Sequence, residues 1–153
     1  MSDVDAKLAS LGVTLPEAPA PAANYVPYVI SNGQVFVAGQ VPRREGAFVT
    51  GTLGKDTSLE EGQEAARLCA IAILAQLKAA CGGDWSRLVR VVKLGAFVAC
   101  TPEFTDQPKV ANGASDFLVE VLGDRGRHAR FAVGAPSLPL GVAVEIDGVF
   151  EVR

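Results

Sequence analysis

The spacing of apolar residues changes several times along the chain, and each change marks an element. Val4, Leu8 and Leu11 recur at helical intervals behind Ser2 or Asp3, which predicts a short first helix. It gives way to the Pro- and Ala-rich LPEAPAPAA, a surface link. VPYVIS and QVFVAGQV are β-rich runs on either side of Asn32-Gly33, a pair suited to the tight turn of a hairpin. PRREGAFVTG then reads as a loop with a minor strand. From Ser58 the period lengthens: a Ser58-x-x-Glu61 capping box opens a helix that runs to Cys81 and stops at Gly82-Gly83. Leu68, Ala72 and Ala75 stand beside Cys69, Ile73 and Leu77 on that helix, so more than one stripe needs cover.

After a GGDW turn, RLVRVVKLGAFVAC carries apolar side chains on both alternating faces, as an interior strand does. Pro108 suits the first turn of a second helix with Val110, Ala114, Phe117, Val121 and Leu122 toward the core, and GDRG ends it. HARFAV and GVAVEIDGVFEV supply two further strands. The order ββ-α-β-α-ββ is an α+β plan with both long helices on one face of a sheet.

Such a plan leaves the other face bare. In the last strand Val142, Val144, Ile146, Phe150 and Val152 share the side that can meet the helices. Ala143, Glu145, Asp147, Val149 and Glu151 share the side turned to solvent or to another subunit. In the strand before it, Arg130 alternates with Ala132 and Gly134, and Phe131 and Val133 are expected to face the core. An arginine beside two very small residues suggests an open depression, where a guanidinium can grip a carboxylate through two parallel hydrogen bonds. The alternative is an arginine paired with an acid at a sheet end or at an interface.

Other candidates carry the same ambiguity. Glu145 suits proton transfer but also an ordinary solvated face, and Tyr28 suits a core edge. Gly39 suits a bulge, and His128 a hydrogen bond at a strand end. Cys100 has no cationic neighbour in sequence that would lower its thiol pKa.

Composition narrows the classes. The chain has 153 residues and no linker in its middle, which suits one domain over 24–153 behind a helix and arm over 1–23. With glycine counted and tyrosine left out, apolar residues reach roughly 58%, above the ~45–50% of ordinary soluble domains, and subunit interfaces would absorb the surplus. A net charge of −3 gives no general attraction to phosphate backbones, so nucleic acid is not expected as a partner. The acidic start MSDVDAKLAS is unlike a signal peptide and no run matches a membrane span, so a cytoplasmic protein without membrane association is expected. Three cysteines without metal-type spacing suggest reduced thiols. A single histidine leaves no two-histidine zinc motif and no histidine pair for ribonuclease acid and base work.

From Pro27 onward the chain resembles the RidA/YjgF family, long labelled endoribonuclease L-PSP or translation inhibitor. The resemblance rests on PYV, the GQVP turn at Gly39–Pro42, the helix ending in Gly-Gly, VKLGAFV, Asn112, ARFAV and VEID; the last two carry most of the specificity. It implies a chorismate-mutase-like subunit in a homotrimer, with sheets lining a central barrel, helices outside and ligand clefts between subunits. It further implies that Arg130 holds a substrate carboxylate with help from the backbone amide of Ala132. Tyr28, Gly39 and Asn112 match other cleft positions, and Glu145 matches an acid that orients water.

The implied reaction is hydrolysis of reactive 2-imino or enamine acids to 2-oxo acids and ammonia, with no metal or cofactor. Ala38 stands where many members have serine, FAVGAPSLPLG replaces a more charged segment, and the N-terminal arm is longer, all marks of a divergent branch. The alternative is a trimer that binds a small carboxylate metabolite without catalysis, followed by the ribonuclease or translation-inhibitor activity of the old label.

Overall fold

Asn32 and Gly33 both adopt positive φ (51° and 76°), which joins β1 (Tyr28–Ser31) to β2 (Gln34–Gln40) as the hairpin the sequence predicts. The computed structural model describes residues 2–18 and 23–153, so the part of the N-terminal link over 19–22 lies outside the described residues. A second, smaller hairpin pairs β3 (Arg43–Arg44) with β4 (Ala47–Phe48). The two long helices are α2 (Leu59–Ala80) and α3 (Gln107–Leu122); the remaining strands are β5 (Leu88–Ala99), β6 (Ala129–Ala135) and β7 (Val144–Val152).

The main sheet has the order β1-β2-β7-β5-β6. Only β5 and β6 run parallel, with α3 as their connection. Ser58 caps α2, its hydroxyl accepting from the Glu61 amide at 3.1 Å, which is one half of the expected capping box. Val144, Ile146, Phe150 and Val152 of β7 are buried against the helices. Helices α2 and α3 pack so closely that a Cβ on Gly113 would overlap the Gln63 carbonyl.

The first helix, α1 (Asp3–Ser10), is capped by Ser2, whose Oγ accepts from the Asp5 amide at 3.0 Å. Val4 and Leu8 enter the common core. The Asp5 carboxylate accepts from Lys78 Nζ at 3.1 Å and Trp85 Nε1 at 3.2 Å, which ties α1 to the end of α2. Val13 and Leu15 continue along the same core.

Two sequence expectations are overturned. Phe131 and Val133 do not face the core: they are 37% and 43% exposed. The parallel register aligns Arg130 with buried Leu94 and Val133 with exposed Phe97, which turns Arg130, Ala132 and Gly134 toward α3. Period-two alternation assigns residues to two faces without saying which face is inside. Ala143 is likewise buried, because its amide donates to the Val49 carbonyl and the chain around residue 49 covers it. Among the described residues no element covers the far face of the sheet. There Phe97 and Phe131 meet edge to face at 5.4 Å, near exposed Val133, with Val29 and Phe36 further across.

Candidate functional site

The smallness of Ala132 and Gly134 follows from helix packing, not from an open depression. A Cβ on Gly134 would lie 2.7 Å from Cys100 Sγ and 3.0 Å from Gln107 Nε2, and Ala132 packs on the core. Arg130 itself flanks α3 and is half-buried. Its Nη1 donates to Asn112 Oδ1 at 2.9 Å and to Ser115 Oγ at 3.0 Å, and its Nη2 donates to the Pro108 carbonyl at 3.3 Å. All three acceptors are neutral. No carboxylate among the described residues pairs with it, so no ion pair forms at the sheet end within the chain. Of the five guanidinium N–H groups, the one on Nε and one on Nη2 have no partner among the described residues.

Sequence reasoning named Asn112 but missed Ser115 and the Pro108 carbonyl. The signal was there: positions 108, 112 and 115 follow helical spacing and therefore share one face of α3. Ser115 also meets His128 Nε2 at 2.9 Å, while His128 Nδ1 lies 2.6 Å from the Gly126 carbonyl. In the neutral ring, Nδ1–H donates to that carbonyl, which leaves Nε2 to accept from Ser115. The hydrogen bonds then run in one direction, from Arg130 through Ser115 and His128 to Gly126. His128 is the strand-end hydrogen-bonding residue its position suggested.

Glu145 stands on the opposite face of the sheet, paired in register with Phe97. Burial pushes its carboxyl above the ordinary glutamate range, and the Asp147 charge adds to the shift. Gly39 lies over it: a Cβ there would sit 3.1 Å from Glu145 Oε1, so glycine leaves the carboxylate room. Tyr28 lies on β1, at the other edge of the sheet from β6. The predicted residues therefore fall into separate groups. Arg130 and Asn112 meet with Ala132 on the same strand face, Glu145 meets Gly39, and Tyr28 joins neither.

The three cysteines are free and buried. Burial raises the thiol pKa of Cys69 and Cys81, so neither is an activated nucleophile. Among the described residues no group of three or more His, Cys, Asp or Glu side chains is arranged to hold a metal, and no helix is long and apolar enough to cross a membrane. A cavity of about 710 Å³ lies between α2, residues 12–17 and the end of β2; of the predicted positions only Gly39 borders it.

Comparison with known proteins places this geometry in context. Residues 5–149 match the family described as "YjgF/chorismate mutase-like, putative endoribonuclease". Protein TCP17 of Trypanosoma cruzi is 51% identical over 152 residues, covering 98% of this chain and 94% of that one. Atu1372 of Agrobacterium tumefaciens, a crystal structure of unknown function, is 49% identical with a TM-score of 0.93, covering 99% of this chain and 93% of its own. E. coli TdcF with bound serine shares the fold at a TM-score of 0.63 and 22% identity, covering 90% of this chain and 94% of its own.

Proposed function

The chain belongs to the YjgF/chorismate mutase-like family, and on that premise we propose that it hydrolyses small 2-imino or enamine acids to 2-oxo acids and ammonia in a cleft between protomers of a homotrimer. The observation that carries the proposal is Arg130, a cation without a counter-charge among the described residues, oriented by three neutral acceptors and left with two N–H donors that none of those residues takes. A substrate carboxylate supplies the missing charge and takes those donors. The backbone amide of Ala132, on edge strand β6, adds a further contact. The carboxylate of serine in TdcF is a ligand group of the same kind.

The C=N carbon of such a substrate is already electrophilic, so the protein's work is positioning and proton movement. Glu145, its pKa raised by burial, takes a proton from water as the hydroxyl adds to that carbon. The proton passes to nitrogen, and the added hydroxyl then gives up its own proton, which also reaches nitrogen, as the C–N bond breaks, the C=O bond forms and ammonia leaves. One imine and one water give one 2-oxo acid and one ammonia.

Arg130 and Glu145 lie on opposite faces of one sheet, with β5 between their strands. A small substrate cannot touch both within a protomer. It can do so where the β6 edge of one protomer meets the Glu145 face of the next. The bare apolar face around Phe97, Phe131 and Val133 supplies surface for that packing.

The test is ammonia release from freshly generated 2-iminopropanoate. Arg130→Ala is expected to lose about 100-fold or more of the acceleration, and equal rates for variant and parent would remove the proposal. A second reading, carboxylate binding without catalysis, is favoured by Arg130's own bonding: among the described residues no acid or base is hydrogen-bonded to it, and His128 is reached only through Ser115, two hydrogen bonds away. Saturable binding of 2-oxo acids with no effect on imine lifetime would select it. The endoribonuclease in the family description ranks behind both, since the chain is acidic and the ring nitrogens of its lone histidine are both engaged.

A further inference from the structure

The hydrogen bonds that leave Arg130 do not stop at its first partners, and their far end is firmly anchored. Ser115 Oγ accepts from Arg130 Nη1 at 3.0 Å and lies 2.9 Å from His128 Nε2, and His128 Nδ1 lies 2.6 Å from the Gly126 carbonyl. Gly126 ends the short turn Gly123–Gly126 and is pressed against α3, where a Cβ on it would overlap the Leu118 carbonyl. Its neighbours are tied to β5: Arg125 Nη1 donates to the Leu88 carbonyl at 3.1 Å, and Arg90 Nη2 donates to the Arg127 carbonyl at 2.8 Å. The bonds therefore run from the guanidinium to a fixed point of the scaffold.

Each link has a definite part. Ser115 has one hydroxyl hydrogen, and with Nδ1–H given to Gly126 the ring offers a lone pair at Nε2 to receive it. The Ser115 oxygen then turns its own lone pairs to Arg130, and each bond polarises the next, so the imidazole makes Ser115 a stronger acceptor. A carboxylate in the place of Ser115 would hold the guanidinium as firmly, but it would also cancel its charge. A hydroxyl backed by a neutral ring orients Arg130 and leaves that charge for a ligand.

We infer that His128 is a positioning residue for the carboxylate anchor: acting through Ser115, it holds Arg130 in its receiving conformation before the ligand arrives. The inference rests on the reading of Arg130 as that anchor. Ordering a flexible side chain in advance removes part of the cost of binding. The gain is shared by substrate and transition state, so its loss raises KM and leaves kcat nearly unchanged.

Two substitutions separate this role from a simple tie at the strand end. Gln carries an acceptor oxygen at the reach of Nε2 and keeps the link to Ser115, whereas Asn carries an N–H at the reach of Nδ1 and keeps only the link to Gly126. In imine hydrolysis His128→Asn and Ser115→Ala should each raise KM about ten-fold with kcat within about two-fold of the parent's. His128→Gln should keep KM within about two-fold, and the double variant Ser115→Ala with His128→Asn should match Ser115→Ala alone. If the parent does not hydrolyse imines, the proposed reaction fails, and the dissociation constant of 2-oxopropanoate should follow the same order across these variants. A further readout needs no ligand. The chain has a single histidine, so the ring nitrogen NMR signals belong to His128 without assignment. Arg130→Ala should move the Nε2 signal downfield, because the Ser115 hydroxyl then donates less strongly, and should move it far less in chains that also carry Ser115→Ala. A KM or dissociation constant unchanged in His128→Asn, a loss in His128→Gln as large as in His128→Asn, or an Nε2 signal that ignores Arg130→Ala would overturn the inference; a parent that neither hydrolyses imines nor binds 2-oxopropanoate would remove the anchor and the inference with it.

Discussion

At the scale of single residues, Glu145 gives a prediction on stability as well as on catalysis. Its folded pKa is raised, so the folded state holds the proton more tightly than the unfolded chain does. Ionising it therefore costs stability as pH rises from the ordinary carboxylate value near 4.5 through the folded pKa. Glu145→Gln removes that cost. Its melting temperature should exceed the parent's at neutral pH, and the two curves should converge below about pH 4; a lower melting temperature at neutral pH would contradict the burial account. The same change should slow imine hydrolysis about 100- to 10,000-fold, the usual contribution of a positioned acid or base. Arg130 and Glu145 were legible in sequence because ionisable residues interrupt otherwise apolar strands. The face each occupies was not legible. Alternation in ARFAVGA satisfies either assignment, and only the register with Leu94 and Phe97 decides between them. Ser115 escaped notice for a different reason: a lone serine on a helix becomes informative only once Arg130 is known to lie against it.

At the scale of elements, local signals sufficed where the physics is local. The Asn32-Gly33 turn, the Ser58 cap and the Pro108 helix start each depend on a few neighbouring residues, and each formed where expected. Close approach between helices depends on residues far apart in sequence, and Gly113 gave no local hint of it. The Gln63 backbone occupies the space a Cβ would need, so Gly113→Ala must push α2 and α3 apart. The expected loss is about 1–3 kcal/mol, the range for overpacking a tight interior, read as a lower denaturant midpoint with an unchanged slope. A midpoint equal to the parent's would show that the helices separate at little cost. Because Asn112 and Ser115 flank Gly113 on α3, this variant should also loosen the hold on Arg130.

At the scale of the whole molecule, the bare sheet face links fold to function. The ββ-α-β-α-ββ order predicted a face without cover, and the exposed Val29, Phe36, Phe97, Phe131 and Val133 fill it with apolar side chains. A patch of this kind marks an interaction surface. Phe131→Asp places a charge in its centre, and sedimentation should then find monomers where the parent sediments as a trimer; an unchanged trimer would move the interface elsewhere. Arg130 and Glu145 on opposite faces require that interface for any shared chemistry. The most direct test co-expresses Arg130→Ala chains with Glu145→Gln chains. If each site takes its arginine from one protomer and its glutamate from the next, every mixed trimer holds one intact site, and chains expressed in equal amounts and mixed at random recover about a quarter of the parent's activity although each variant alone has almost none; mixtures no more active than the separate variants would contradict the account.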